Sequence, residues 1–111
     1  MTTPAECLIL TALNDEDLIQ QFISELLEEG LILSACYWPV KVMYQWEGAM
    51  HVEDEYKVLM KTRQDRYAAV EEYIIEHHPY KAPEIIEVNA VLGSPSFRNH
   101  LMAQKTMDPT S

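Results

Sequence analysis

Apolar and polar positions alternate most regularly over residues 41–62. Tyr44 and Trp46 belong to a period-two pattern that Gly48 interrupts and that resumes from Val52 to Met60, which predicts two long strands joined by a turn at Gly48. Each arm has about twelve residues, so this ribbon spans about 40 Å at about 3.3 Å per residue. A domain of this size has a radius of gyration of about 13 Å. We therefore expect other subunits to cover part of the ribbon.

Before the ribbon, the same pattern predicts a strand, a helix and a second strand. The nearly continuous apolar run at residues 6–12 is typical of a strand that is covered on both faces or lies centrally in a sheet. Apolar residues then recur at helical spacing, in a helix that we expect Asn14 to cap and Gly30 to end. Residues 31–37 begin the second strand, where Pro39 predicts an interruption and an edge position in the sheet.

After the ribbon, the pattern predicts a helix, a strand and a short final helix. Asp65 is the expected cap of the helix, and Pro79 is expected to end it. Residues 85–92 alternate again as a last strand. Ser94 followed by Pro95 is typical of a helix start, so a short C-terminal helix is expected there.

The order β-α-β-β-α-β with a short terminal helix predicts an α+β, ferredoxin-like sandwich with a long β-hairpin. We expect a single domain over residues 6–104 and a disordered tail over residues 105–111, which lack an apolar period. In this fold the first and third strands are neighbours and the second lies outside the third. Cys7 and Cys36 then lie on strands that are not adjacent, so a disulfide between them is not expected.

Charge narrows the range of partners. The chain has 18 acidic and 8 basic residues, for a net charge of −10, which repels nucleic acid and anionic membranes. No apolar run approaches the length of about 18 residues that a membrane span needs. Two cysteines are too few for a disulfide framework, and no signal-peptide pattern opens the chain. We expect a cytoplasmic protein without nucleic-acid or membrane partners.

Three short strings occur together at fixed places in this order of elements. They are the Ser-Ala-Cys of residues 34–36, the YQWEG of residues 44–48 and the HHPYKAPE of residues 77–84. Together they resemble the CutA family of divalent-cation tolerance proteins. The resemblance implies a homotrimer with the architecture of the nitrogen-regulatory PII proteins and no established catalytic activity. It also implies a role in tolerance of copper and other divalent metal ions.

One departure from the family bears on copper. In bacterial members described as copper binders, a cysteine ends the first strand and joins the paired histidines, whereas this chain has Leu10 at that place. Thioether and thiolate sulfurs are the ligands that copper(I) prefers. The sequence thus weakens the interpretation of the protein as a copper carrier.

The adjacent His77 and His78 are the predicted metal site, for a divalent ion such as copper or zinc. Adjacent residues at the end of a helix point about 100° apart, so a third ligand from elsewhere is needed. The alternative is structural, because an imidazolium in the last helical turn interacts favourably with the helix dipole. The sequence favours this structural alternative over a metal site.

The resemblance places a small-ligand cleft between subunits, lined by Cys36, Lys61, Tyr80 and Glu84. For Cys36 alone, its apolar flank favours a buried, unreactive thiol. Salt-bridge and packing roles are the alternatives for the other three. The aromatic residues of the ribbon are the predicted trimer interface, because such side chains on a pairing ribbon commonly pack against a neighbouring chain: Tyr44, Trp46 and Tyr56.

These observations predict a non-catalytic, homotrimeric module that responds to a metal ion or small ligand. No spacing of serine, cysteine, histidine and acid indicates a nucleophilic site. The alternative is a small enzyme whose active site lies at the subunit interface, with a histidine such as His51 or His77 as its base.

Overall fold

The computed structural model describes residues 6–90 together with positions 96 and 103. Along the chain it contains these elements: β1 (Glu6–Leu13), α1 (Glu16–Glu28), β2 (Ser34–Trp46), β3 (Ala49–Arg63), a short 3-10 turn (Gln64–Arg66), α2 (Tyr67–His77) and β4 (Ile86–Ala90). The predicted C-terminal helix, apart from position 96, and the predicted tail lie outside the described residues. The division into one domain at residues 6–104 stays a prediction.

The four strands form one antiparallel sheet in the order β2-β3-β1-β4. With two helices on the sheet, this confirms the predicted α+β, ferredoxin-like fold. Cys7 on β1 and Cys36 on β2 are separated by β3, and both are free thiols. This confirms the prediction that these two strands are not adjacent.

The first helix begins one residue later than the sequence predicts. Asp15, not Asn14, is its N-cap, and the Asp15 carboxylate accepts a hydrogen bond of 3.2 Å from the backbone N–H of Leu18. At the other end, Gly30 has a φ of 70°. The N–H groups of Gly30 and Leu31 donate to the carbonyls of Leu27 and Leu26 at 3.1 and 2.9 Å, which is the Schellman arrangement. The predicted end at Gly30 is confirmed.

The second helix has no side-chain cap at its start, so the predicted cap by Asp65 is wrong. Asp65 lies in the 3-10 turn that precedes the helix, where its carboxylate forms a two-pronged ion pair with Arg63, at 2.9 Å for one contact. The ion pair uses the carboxylate that capping would need. The helix ends at His77, two residues before Pro79.

The second strand runs through Pro39 without a break, contrary to the predicted interruption, and begins at Ser34 rather than residue 31. Pro39 pairs with Tyr56 of β3. Because β2 is the outermost strand, its second edge has no pairing partner within the described sheet, and an edge strand tolerates the missing N–H of proline. The predicted edge position is confirmed.

The predicted ribbon is a hairpin of β2 and β3, with 13 and 15 residues. Trp46 pairs with Ala49, so the connection is a two-residue loop of Glu47 and Gly48. Both loop residues have positive φ, 51° and 78°, as a type I′ turn requires. The molecule's longest extent is 53 Å, so the ribbon reaches well past the layer that the helices cover.

The core lies between the helices and one face of the sheet. Side chains with no exposed surface come from β1, β3, both helices and the segment between α1 and β2, and include Ile9, Ile19, Leu26, Met60 and Ile74. Cys7 belongs to this cluster, and its burial, followed by the charge of Glu87, raises the pKa of the thiol to about 11. Cys7 is therefore a neutral core residue at physiological pH.

Candidate functional site

One face of the sheet packs on α1 and α2, and within residues 6–90 no helix lies on the other face. Val58, Met60 and Thr62 of β3 are buried on the helix side, and successive strand residues point to opposite faces. Lys57 and Lys61 therefore point to the other side, which we call the helix-free face. A row of four directly paired residues crosses all four strands on this face: Ile86, Leu10, Leu59 and Cys36.

His78 ties the segment after α2 to the end of β1. Its ring Nε2 lies 2.8 Å from the carbonyl oxygen of Ala12, and its Nδ1 lies 3.1 Å from the backbone nitrogen of Tyr80. These partners assign the neutral tautomer in which Nε2–H donates to Ala12 and Nδ1 accepts from Tyr80. The side chain is only 7% exposed. These two hydrogen bonds hold the connecting segment, residues 78–85, against the sheet.

The connecting segment meets β3 at two polar contacts. The Tyr80 hydroxyl donates to Glu55 at 3.4 Å, and the Lys57 ammonium lies 2.7 Å from the Glu84 carboxylate. Both members of the ion pair are partly buried, with side-chain exposures of 28% and 38%. Burial, followed by the charge and hydrogen bonding of Glu55, raises the pKa of Tyr80. Tyr80 is therefore a hydrogen-bond donor at neutral pH.

The predicted cleft residues all lie on or beside the helix-free face, but two of their partners were not predicted. Tyr80 and Glu84 contact Glu55 and Lys57. Lys61 is four residues further along β3 from Lys57, or roughly 13 Å at about 3.3 Å per residue. The missed signal is the period of two, which puts Lys57 on the same face as Lys61.

The exposed thiol of Cys36 corrects the predicted burial of that residue. Cys36 points to the helix-free side of an edge strand, while its neighbours Ala35 and Tyr37 pack against the core. The apolar flank belongs to residues that face the other way or precede the strand. Cys36 borders a cavity of about 540 Å³ between α1 and β2, which Gln20 and Ser24 also line.

The two histidines have different environments. His77 is exposed and is the last residue of α2. Its Nδ1 lies 2.9 Å from the carbonyl oxygen of Tyr73, and its ring stacks on the Tyr73 ring with centroids 4.1 Å apart. His78 is buried and uses both ring nitrogens. Within residues 6–90, no group of three histidine, cysteine or acidic side chains is arranged to hold a metal ion.

The predicted interface aromatics divide between two faces of the ribbon. Tyr44 and Trp46 are 39% and 63% exposed and lie on the helix-free side. The Tyr44 ring stacks on His51 at 5.3 Å, and its hydroxyl donates to Glu53 at 2.8 Å. Tyr56 lies on the helix side, partly buried against Tyr37 with ring centroids 5.9 Å apart. Only the first two are placed to meet a partner through the helix-free side.

Comparison with known proteins identifies the family of the chain. Its residues 7–104 match the model of the CutA1 divalent ion tolerance protein. The chain belongs to the CutA1 family. This confirms the resemblance that the three short strings indicate. The CutA1 match includes β1 to β4 and extends into the C-terminal residues.

Individual CutA proteins are similar over most of the chain. The divalent-cation tolerance protein CutA of Pyrococcus horikoshii is 32% identical over 82 residues, which is 74% of this chain and 80% of that protein. The solved structure of CutA from Synechococcus elongatus has 26% identity and a TM-score of 0.84, over 97% of this chain and 95% of that one. The likeness to CutA proteins therefore covers most of the chain.

A CutA structure from Archaeoglobus fulgidus, described as periplasmic, shares the fold with a TM-score of 0.82 at 22% identity, covering 93% of this chain and 99% of that chain. The compartment given for that protein differs from the cytoplasm that we expect for this chain. Among the residues that the structure describes here, no helix has the length and apolar character to cross a bilayer.

Proposed function

We propose that this CutA1 family member is a homotrimeric, non-catalytic binding module of the response to divalent cations. The observation that carries the proposal is the apolar surface of the helix-free face, which the residues described by the structure leave exposed. Trp38, Ile86 and Val88 are 41%, 46% and 40% exposed there. Ile86 belongs to the paired row that crosses the sheet, and the other two lie beside that row. Large exposed apolar patches on soluble proteins mark interaction surfaces.

A ring of three copies is the assembly that these features support. The exposed aromatic side chains of the ribbon, Tyr44 and Trp46, continue the helix-free face beyond the body of the domain. A second copy can therefore cover the face and the ribbon together. Rotational closure of such a contact gives a finite oligomer, and the architecture of PII proteins provides the trimeric precedent that the family resemblance implies.

Mass measurement in solution tests the assembly. We expect the wild-type chain to be a trimer at micromolar concentration, and Val88→Glu to shift it to monomer, because the new carboxylate is buried without a partner in the interface. Ile75→Glu is the matched control. Ile75 is 58% exposed on the outer side of α2, so its substitution leaves the trimer intact. A monomeric wild-type chain contradicts the proposal.

The ligand site is proposed between subunits, where Cys36, Lys61, Tyr80 and Glu84 border the helix-free face. The support is the half-buried polar network of Tyr80 and Glu84 with β3, at the margin of an apolar surface. Pockets of this composition bind small ligands by apolar contact with a few directed polar groups. A small molecule or a divalent ion, copper or zinc, is the proposed ligand.

Calorimetric titration tests for a metal site at the histidine pair. Copper and zinc are titrated into the wild-type chain, His77→Ala and the His77→Ala, His78→Ala double variant. A site at the histidine pair predicts a heat of binding that His77→Ala weakens and the double variant abolishes. Identical isotherms exclude this site. The single variant matters because His78 also holds the connecting segment.

The proposed compartment is the cytoplasm. Its support is that Cys7 and Cys36 are unpaired thiols on strands that are not adjacent, which suits a reducing environment. Fractionation of the native cell with an antibody against the chain is the direct measurement.

A further inference from the structure

The tip of the ribbon, residues 41–54, carries exposed apolar side chains on the face opposite to Tyr44 and Trp46. Met43 pairs with Val52, and Met50 pairs with Gln45, so strand alternation places these side chains on the helix side of the ribbon. Met43, Met50 and Val52 are 62%, 66% and 53% exposed. No residue of the tip belongs to the core that α1 and α2 form with the sheet, and the proposed interface uses the other face of the ribbon.

We propose that Met43 and Met50 form a reversible oxidation site for peroxides. The two residues are diagonal neighbours across the hairpin, and the Cα atoms of such neighbours lie about 7–8 Å apart. Among the methionines of residues 6–90, these two have exposed side chains. Met60, the remaining methionine of that range, has no exposed surface and belongs to the core.

The chemistry is a two-electron oxygen transfer. A sulfur lone pair of Met43 or Met50 attacks one peroxide oxygen, so a sulfur–oxygen bond forms as the oxygen–oxygen bond breaks. The sulfur is oxidised and the peroxide is reduced. The proton of the attacked hydroxyl oxygen passes to the departing oxygen, which leaves as water or an alcohol. Methionine sulfoxide reductases return the sulfoxide to the thioether with two electrons and two protons from a thiol reductant, and the oxygen leaves as water. A neutral peroxide is not repelled by the acidic surface of the chain, whose net charge is −10.

Oxidation at this site changes a surface without disturbing the core. A sulfoxide is polar, so the helix side of the ribbon tip turns from apolar to polar at two neighbouring positions. No core residue lies in residues 41–54, so the packing between sheet and helices is unaffected. The same reaction at Met60 places a polar group among buried side chains and is blocked until the chain unfolds.

Hydrogen peroxide treatment with peptide mapping by mass spectrometry tests the proposal. The assay uses the full chain in its Cys36→Ser form, so that the exposed thiol does not consume oxidant. We expect Met43 and Met50 to form sulfoxide at least about tenfold faster than Met60 in the folded protein, and all three at similar rates in denaturant. Equal rates for the three sites in the folded chain overturn the proposal, as does protection of Met43 and Met50 in the assembled protein.

Two further measurements separate the site from general damage. A Met43→Leu, Met50→Leu double variant keeps apolar bulk at the ribbon tip and should lose the two fast oxidation events with an unchanged thermal midpoint. Treatment of the oxidised wild-type chain with methionine sulfoxide reductases of both stereospecificities should restore the original mass of both peptides. Failure of that restoration shows that the oxidation is not reversible and contradicts the proposal.

Discussion

Two buried threonines show how much a single hydroxyl depends on its surroundings. Thr11 and Thr62 are 0% and 1% exposed on the helix side of the sheet. The Thr62 hydroxyl donates to the carbonyl of Leu31 at 2.7 Å. The Thr11 hydroxyl has no hydrogen-bonding partner among the residues that the structure describes. A buried polar group without a partner costs about 1–3 kcal/mol, so the two positions should respond oppositely to loss of the hydroxyl.

Thr11→Val is expected to raise the free energy of unfolding by about 1 kcal/mol, because valine has nearly the same shape and removes the unsatisfied hydroxyl. Chemical denaturation at fixed protein concentration measures the change. The matched control is Thr62→Val, which removes a formed hydrogen bond and should lower the free energy of unfolding by about 1 kcal/mol. A loss at Thr11 as large as that at Thr62 means that the Thr11 hydroxyl is satisfied in solution.

Alternation in the sequence locates side chains on a face but does not tell what covers that face. Cys36 has apolar neighbours in sequence, yet it points to the side of the sheet opposite to α1 and α2 and is exposed. His77 continues the apolar spacing of α2, yet packing of that stripe ends at Ile74 and the helix ends at His77 itself. Lys57 and Glu84 are 27 residues apart, so their ion pair depends on the tertiary path of the connecting segment, which no local pattern contains.

At the scale of elements, the ribbon depends on the two residues of its turn. Glu47 has a φ of 51° and Gly48 a φ of 78°. Residues with a Cβ cost about 1–2 kcal/mol in the left-handed region, and asparagine followed by glycine is the preferred sequence for a type I′ turn. Glu47 is therefore a poor residue for its place, whereas Gly48 is the residue that the turn requires.

Glu47→Asn is expected to raise the thermal midpoint, with a gain of up to about 1 kcal/mol in the free energy of unfolding. Gly48→Ala is the matched variant, and we expect it to lower the thermal midpoint. A Cβ at Gly48 meets no atom within 4 Å, so its cost is backbone strain alone, about 1 kcal/mol. Thermal denaturation followed by circular dichroism compares the variants. A stabilising Gly48→Ala or a destabilising Glu47→Asn contradicts the turn geometry.

The order and type of the described elements could be predicted from sequence, since long periodic segments determine them. Boundaries were less predictable because they depend on competing local contacts. Asp65 has the right identity for a cap, but its ion pair with Arg63 occupies the carboxylate. Pro39 normally interrupts a strand, but the outermost position of β2 removes the need for its N–H. The position of each boundary therefore depends on contacts with a neighbouring element, which the local sequence does not contain.

For the whole molecule, charge opposes the proposed assembly. Each copy carries a net charge of −10, so association brings three like-charged bodies together. Salt screens this repulsion over a Debye length that falls from about 30 Å to about 3 Å between about 0.01 and 1 M. The free energy gained by apolar burial must exceed the free energy of this repulsion, and the difference between them is smallest at low ionic strength.

We expect the monomer fraction to fall as sodium chloride increases, measured by sedimentation velocity at a concentration near the dissociation midpoint. A Glu72→Lys, Glu76→Lys variant is the control, because both residues are exposed on α2 away from the helix-free face. Reducing the negative charge there should lower the salt dependence without changing the interface. An assembly that dissociates with salt indicates attraction between charged groups of different subunits.

The pairing register also determines the order in which contacts can form during folding. In the hairpin, pairs begin with Trp46 and Ala49 and extend outward to Ser34 and Lys61, so every pair closes next to one already made. The pair of Cys7 with Asn89 joins distant parts of the chain, and long loops close slowly. We therefore expect the turn end of the ribbon to be structured early and the edge between β1 and β4 to be completed last.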